Sequence, residues 1–133
     1  MWSNPTAYLD DNIVEAGTET YKLVAVYGPA RATLTLRLLA NTSDGTLIPL
    51  AGVPVIINGT ELSTDENGEV ALPLSTLAPA TIQVPERVVT EVGDVFNLSS
   101  WRAISGVLFI YSNFCNASTW LEEDGEIEVI YNP

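Results

Sequence analysis

The side chains best suited to chemistry in this chain are its 17 carboxylates, and the partners they would need are scarce. There is no histidine, and Cys115 is the single cysteine. Ser-His-Asp and Cys-His nucleophilic sites are therefore excluded, as are zinc sites of the Cys/His kind. No Gly-rich phosphate loop is present, and no spacing singles out one carboxylate pair as acid and base. No catalytic residue is assigned, and the chain is read as a non-enzyme. Acidic turns offer a second chemistry, Ca2+ binding through oxygen ligands. Candidates are Asp65-Glu66-Asn67-Gly68-Glu69, Glu122-Glu123-Asp124-Gly125-Glu126 and the pair Asp10-Asp11. None has the alternating ligand spacing of an EF-hand, so the expectation is solvated turns and no cofactor. A third chemistry is N-glycosylation. Sequons begin at Asn41, Asn58, Asn97 and Asn116, and such motifs mark acceptor positions in surface loops of secreted proteins. Trp2, Trp101 and Trp120 with five tyrosines could line a sugar-binding surface. Their scatter along the chain favours packing instead.

Composition narrows the partners. The chain has 133 residues, enough for one domain that buries about two-thirds of its unfolded surface. Net charge is −12, which argues against nucleic acid. A hydrophobic content of 47% is too high for a disordered acidic tail. Val107–Tyr111 is an apolar run of five, far short of a membrane span. Residues 1–19 have neither the basic start nor the apolar run of a secretory signal. The sequons and the single lysine favour an extracellular or cell-surface protein whose numbering begins after processing. Cys115 cannot close an intrachain disulfide and reads as a small buried hydrophobe.

The elements that must position these groups are strands. Period-two alternation dominates and long helical periodicity is absent. Strands are expected at Thr20–Tyr27, Ala32–Ala40, Val53–Ile57, Glu61–Thr64, Glu69–Leu74, Thr81–Val84, Val88–Val92, Gly106–Ser112 and Glu126–Tyr131. Ala32, Leu34, Leu36, Leu38 and Ala40 share one face of the clearest of them. Pro54 predicts a strand start or an edge. Asn58-Gly59 fits a type I′ hairpin turn. Asp65 and Asn67 can cap their own turn ahead of Val70, Leu72 and Leu74. Thr119-Trp120-Leu121-Glu122 has the form of a capping box with Gly125 as its stop, and Leu98–Ala103 is expected to be a second short helical turn. About nine short strands at turn-punctuated spacing is the pattern of an all-β sandwich or barrel. Residues 1–19 alternate weakly and form an N-terminal arm or donor strand; residues 20–133 form a single domain.

The runs ATLTLRLLA (32–40), LAGVPVIING (50–59), LSTDENGEVALPL (62–74) and TLAPATIQV (76–84) resemble bacterial and archaeal immunoglobulin-like surface domains. Carboxypeptidase-regulatory-like and transthyretin-like modules share the phrase. The matching residues are Ala51-Gly52-Val53-Pro54-Val55 and Thr64-Asp65-Glu66-Asn67-Gly68. The resemblance covers about 50 of the 133 residues, and fold carries over further than function. It implies an immunoglobulin-like antiparallel β-sandwich, usually secreted and often arrayed in adhesins, stalks or filaments. Related pilus domains also join an early-strand lysine to a last-strand asparagine with help from a buried carboxyl. Carried onto this chain, that isopeptide crosslink would use Lys22, Asn132 and Glu91, with Glu86 as the alternative carboxyl. A desolvated neutral lysine would attack the amide, and a protonated carboxyl would polarise it.

Together these readings make the chain a structural subunit of an extracellular filament or appendage. Its main partner would be itself, through strand addition by the arm residues Thr6, Ala7, Tyr8, Leu9, Ile13 and Val14. A viral tail, spike or decoration protein, and an adhesin-type module that binds glycans or protein, are the alternatives.

Overall fold

The computed structural model describes residues 30–133. Nine strands occupy them: β1 (Arg31–Asn41), β2 (Leu47–Pro49), β3 (Pro54–Ile57), β4 (Thr60–Ser63), β5 (Glu69–Ser75), β6 (Ala80–Gln83), β7 (Arg87–Val89), β8 (Val95–Asn113) and β9 (Asn116–Asn132). The all-β class is as expected. The expected strand Thr20–Tyr27 and the arm lie outside the described residues. No helix among the described residues is long and apolar enough to cross a membrane.

Alternation builds β1. Its alanines and every leucine but Leu39 point one way and its threonines, Arg37 and Leu39 the other, so Ala32, Leu34, Leu36, Leu38 and Ala40 are all buried. Both edges of β1 are taken. On one side β5 pairs with Arg31–Arg37 and β2 with Leu39–Asn41. On the other, β9 pairs with Leu34–Ala40, and this pairing is parallel. The sheet is therefore mixed, not antiparallel throughout. Parallel neighbours need a long crossover, and here β2 through β8 provide it.

β9 organises the rest. Its first residues, Asn116–Thr119, pair with β6, which leads on to β3 and β4. Its last residues, Gly125–Tyr131, pair with β1. Along its other edge it pairs with β8 from end to end. The β8–β9 ribbon thus belongs to two halves of one curled sheet, and between them it must bend. The bend is made by two glycines. A side chain on Gly106, whose φ is +68°, would meet the Asp124 carbonyl oxygen at 2.2 Å and the Gly125 Cα at 2.6 Å. Only bare backbone fits that approach. Trp101 reports how sharp the bend is. Its indole N–H donates to the Phe114 carbonyl at 2.8 Å. Thirteen residues of straight strand would hold those two positions about 40 Å apart.

The concave side is filled by one core of Leu34, Leu36, Leu38, Val55, Ile57, Ile82, Leu121, Ile127 and Val129, each at most 1% exposed. Side chains of that size stabilise the fold by about 1.5–3 kcal/mol each when fully buried. Tyr131 crosses this core and donates its hydroxyl to the Pro85 carbonyl at 2.6 Å. Burial holds its phenol above the ordinary tyrosine range.

Two local expectations are overturned. Thr119–Glu122 is not a helix start but part of β9. Thr119 is wholly buried and its hydroxyl donates to the Phe109 carbonyl at 2.9 Å, so it cannot cap solvent-facing N–H groups. Ala117, Thr119 and Leu121 alternate inward instead. Leu98–Ala103 is likewise strand, with Leu98 opposite Tyr131 and Ala103 opposite Ile127. Four register shifts along β8 break its alternation and disguise it. Nor are all strands short: β8 has 19 residues and β9 has 17. Other local readings hold. Pro54 opens β3. Asn58 and Gly59, at φ of 50° and 82°, form the two-residue turn between β3 and β4. The Asp65 carboxylate accepts from the Asn67 and Glu69 N–H groups at 2.8 and 3.0 Å, capping its own turn.

Candidate assembly surface

A β-sheet that does not close leaves backbone donors and acceptors along its edges, and those edges template pairing with other chains. Most edges described here are short or guarded. β2 has three residues including Pro49, β7 has three, and β4 has four centred on Glu61 and Leu62. β5 is longer, but Pro73 guards it. Thr76 N–H donates to the Ala30 carbonyl at 2.9 Å and Leu38 N–H to the Gly68 carbonyl at 2.8 Å. The even-numbered residues of β5 therefore bond to β1, and the odd-numbered ones face outward. Pro73 stands at an outward position, where it has no N–H to offer.

β8 is different. β7 covers it only at Val95–Asn97. Leu98 N–H still donates to the Glu86 carbonyl, just ahead of β7, at 2.9 Å, and from Ser99 to Asn113 no other described strand lies on the outer edge of β8. That stretch holds no proline, and its one charge is Arg102. The bulges that blunt its first part end at Phe109, after which Phe109–Asn113 runs in unbroken register with β9. The side chains beside this edge are apolar and exposed: Leu108 59%, Phe109 43% and Tyr111 74%, with Phe114 at the hairpin tip 56%. Phe109 leans on Trp120, their rings 6.1 Å apart and tilted at 59°. The Trp120 indole donates to the Thr76 carbonyl at 2.8 Å. Trp101 and Trp120 are thus packing residues held by backbone acceptors. A shallow groove of about 490 Å3 continues from Tyr111 over Ile56, Thr81, Gln83, Asn113 and Asn116.

On β8, charge is confined to the other half, while β9 still carries Glu122, Glu123 and Asp124 just ahead of Gly125. Across β5, β1, β9 and β8 runs a ladder of Glu69, Arg37, Glu128 and Arg102, joined by Glu126. Arg37 Nε donates to Glu69 at 2.8 Å. That bond, opposed by partial burial and reinforced by the nearby glutamates, holds the guanidinium pKa above its ordinary value. The ladder ends at Arg102. Beyond Gly106, Val107–Asn113 carries no charge.

The residues proposed from sequence fall as follows. Lys22 and the arm residues Thr6, Ala7, Tyr8, Leu9, Ile13 and Val14 lie outside the described residues. Asn132 is exposed. It accepts from Asn41 at 2.9 Å and donates to the Ser99 hydroxyl at 3.0 Å. Glu91 sits exposed in the β7–β8 turn, and Glu86 is also exposed. Of the sequons, Asn58, Asn97 and Asn116 are exposed and Asn41 is half-buried. Asn58 Oδ1 is engaged by the Thr81 N–H at 2.9 Å. Of the acidic candidates, Glu122–Glu126 is not a turn but part of β9, where Asp124 accepts from the Thr33 N–H at 2.8 Å, and Asp10-Asp11 lies outside the described residues. No metal-sized group of His, Cys, Asp or Glu forms among the described residues. Cys115 is half-buried at the hairpin tip and packs against the core. The β8 edge itself was not singled out from sequence. Its signal is the uncharged, proline-free run Val107–Tyr111.

No family model matches the chain, and no curated protein or solved structure matches it either.

Proposed function

We propose that this protein is a structural subunit of an extracellular surface filament or appendage, assembled by β-strand addition between subunits. What supports the reading is the open apolar edge of β8. A strand laid there would form main-chain hydrogen bonds and cover exposed alternate side chains. The donor comes from residues 1–29 of a neighbour. The immunoglobulin-like sandwich remains our finer reading of the all-β fold. It is supported by the phrase in residues 32–84 and by two half-sheets sharing β8 and β9 around one core. A net charge of −12 opposes association at low salt, so assembly is expected to need salt or cations. Electron microscopy of the full chain tests the reading: regular filaments support it, and dispersed particles the size of one domain at every salt concentration overturn it.

A second reading, a module that binds carbohydrate or protein, is favoured by the Tyr111 groove. An aromatic face flanked by Gln83, Asn113 and Asn116 offers stacking and neutral hydrogen bonds. It predicts a stable monomer that takes up glycans in an array, an uptake lost in Tyr111→Ala.

A further inference from the structure

The assembly reading leaves open which N-terminal segment is donated. The sequence pattern alone points to the arm Thr6–Val14, yet the topology points to a segment nearer the fold. Thr20–Tyr27, TYKLVAVY, has the β-branched and aromatic make-up of a strand and no proline. Its sequence neighbour is β1, and a strand next in sequence most often pairs with its neighbour. That route is closed, because β5, β2 and β9 occupy both edges of β1. The next edge, β5, is guarded by Pro73. The long unguarded edge left among the described strands is that of β8.

The link between the segment and β1 decides which molecule's edge it reaches. Tyr27 and Arg31 are four residues apart, so their Cα atoms are at most about 14 Å apart. A strand on the outer edge of β8 stands three sheet spacings from β1, also about 14 Å. Within one molecule the link would have to be fully extended and still climb over β8 and β9. The concave route is blocked by the core. Between two molecules no strand needs crossing. Charge separates this segment from the arm. Thr20–Tyr27 carries Lys22 and no acid, whereas Thr6–Val14 carries Asp10 and Asp11. On a chain of net charge −12 the first is attracted and the second repelled. Length agrees as well, with eight residues of donor against the seven of Val107–Asn113.

Resting on the strand-addition reading, we propose that Thr20–Tyr27 of one copy adds to Val107–Asn113 of a second copy as its missing edge strand.

Two single-cysteine chains test this, both carrying Cys115→Ser. One has Val24→Cys. The other has Ile110→Cys, Tyr111→Cys or Ser112→Cys in turn, to allow for register. The two full-length chains are mixed, assembled and oxidised. A disulfide between the different chains is expected for at least one pair, and Asn12→Cys in place of Val24→Cys should not give it. Leu108→Lys with Tyr111→Lys, both at exposed positions, should abolish assembly and leave the folded monomer's thermal midpoint unmoved. Filaments that form normally, give no cross-link from position 24 and tolerate the double lysine variant would overturn this donor assignment and leave the assembly reading standing. Cross-linking from position 12 instead would return the donor to the arm. A chain that stays monomeric removes both.

Discussion

β5 and β8 are both flanking strands of the same curled sheet, yet they treat their free edges in opposite ways. β5 turns Pro73 outward, where a neighbour would need an N–H, and its inward residues Val70 and Leu74 are buried. β8 leaves a 15-residue stretch, Ser99–Asn113, uncovered and without proline, and surrounds its regular end with exposed Leu108, Phe109 and Tyr111. An exposed apolar edge invites aggregation unless something specific covers it. The contrast suggests an edge kept open for a partner beside an edge closed against one. It is drawn again within β8 itself, charged and bulged before Gly106, uncharged and regular after Phe109.

The largest effect should come from removing the bend that sets the two parts of β8 apart. Gly106→Val would place a β-branched residue at φ +68° against the Asp124 and Gly125 backbone. A loss of about 3 kcal/mol is expected in urea unfolding, from strain and steric overlap together. A loss under about 1 kcal/mol would mean the corner does not depend on bare backbone.

Tyr131→Phe comes next, because Tyr131 ties the β1 side of the sheet to the chain after β6. Losing the bond to the half-buried Pro85 carbonyl should cost about 1–2 kcal/mol. This tyrosine also gives the fold a pH dependence. Its folded pKa lies above the unfolded value near 10, so the folded state holds the proton more tightly. The contribution is complete below about pH 10 and is lost as pH rises above it. Denaturation midpoints should fall above about pH 10 in the parent, and fall less steeply in Tyr131→Phe. Equal slopes would place the alkaline loss elsewhere.

Arg37→Met should cost about 1 kcal/mol, since it removes the cation shared by Glu69, Glu126 and Glu128 at partly exposed positions. High salt should shrink the difference. An unchanged difference at 1 M salt would assign it to packing.

The smallest effect on stability, and the sharpest on the comparison, belongs to Pro73→Thr. It restores an outward N–H to β5 and should move the unfolding midpoint little, by about 0.5 kcal/mol or less. Association measured by sedimentation should rise, because a second edge has been opened. Unaltered association would show that Pro73 is not the guard.

Much of the fold was legible because single residues decided it. The leucines of β1, the Asn58-Gly59 turn and the self-capped Asp65 turn act locally, and each was placed from sequence. The long ribbon was not. Bulges erase the period of β8, and Thr119-x-x-Glu122 satisfies a capping box and a strand alternation at once. Burial of Thr119 settles the choice, and that burial comes with its pairing to Ala80 of distant β6 and to Ile110 of β8. The assembly surface was the least legible part. Whether an edge is open depends on which strands fail to arrive, which the uncharged, proline-free run Val107–Tyr111 does not by itself record.

The most direct measurement is electron microscopy of the full-length chain beside its Leu108→Lys, Tyr111→Lys variant, at matched salt. The account predicts regular filaments from the first and dispersed single domains from the second. Filaments from both, or single domains from both, would contradict it.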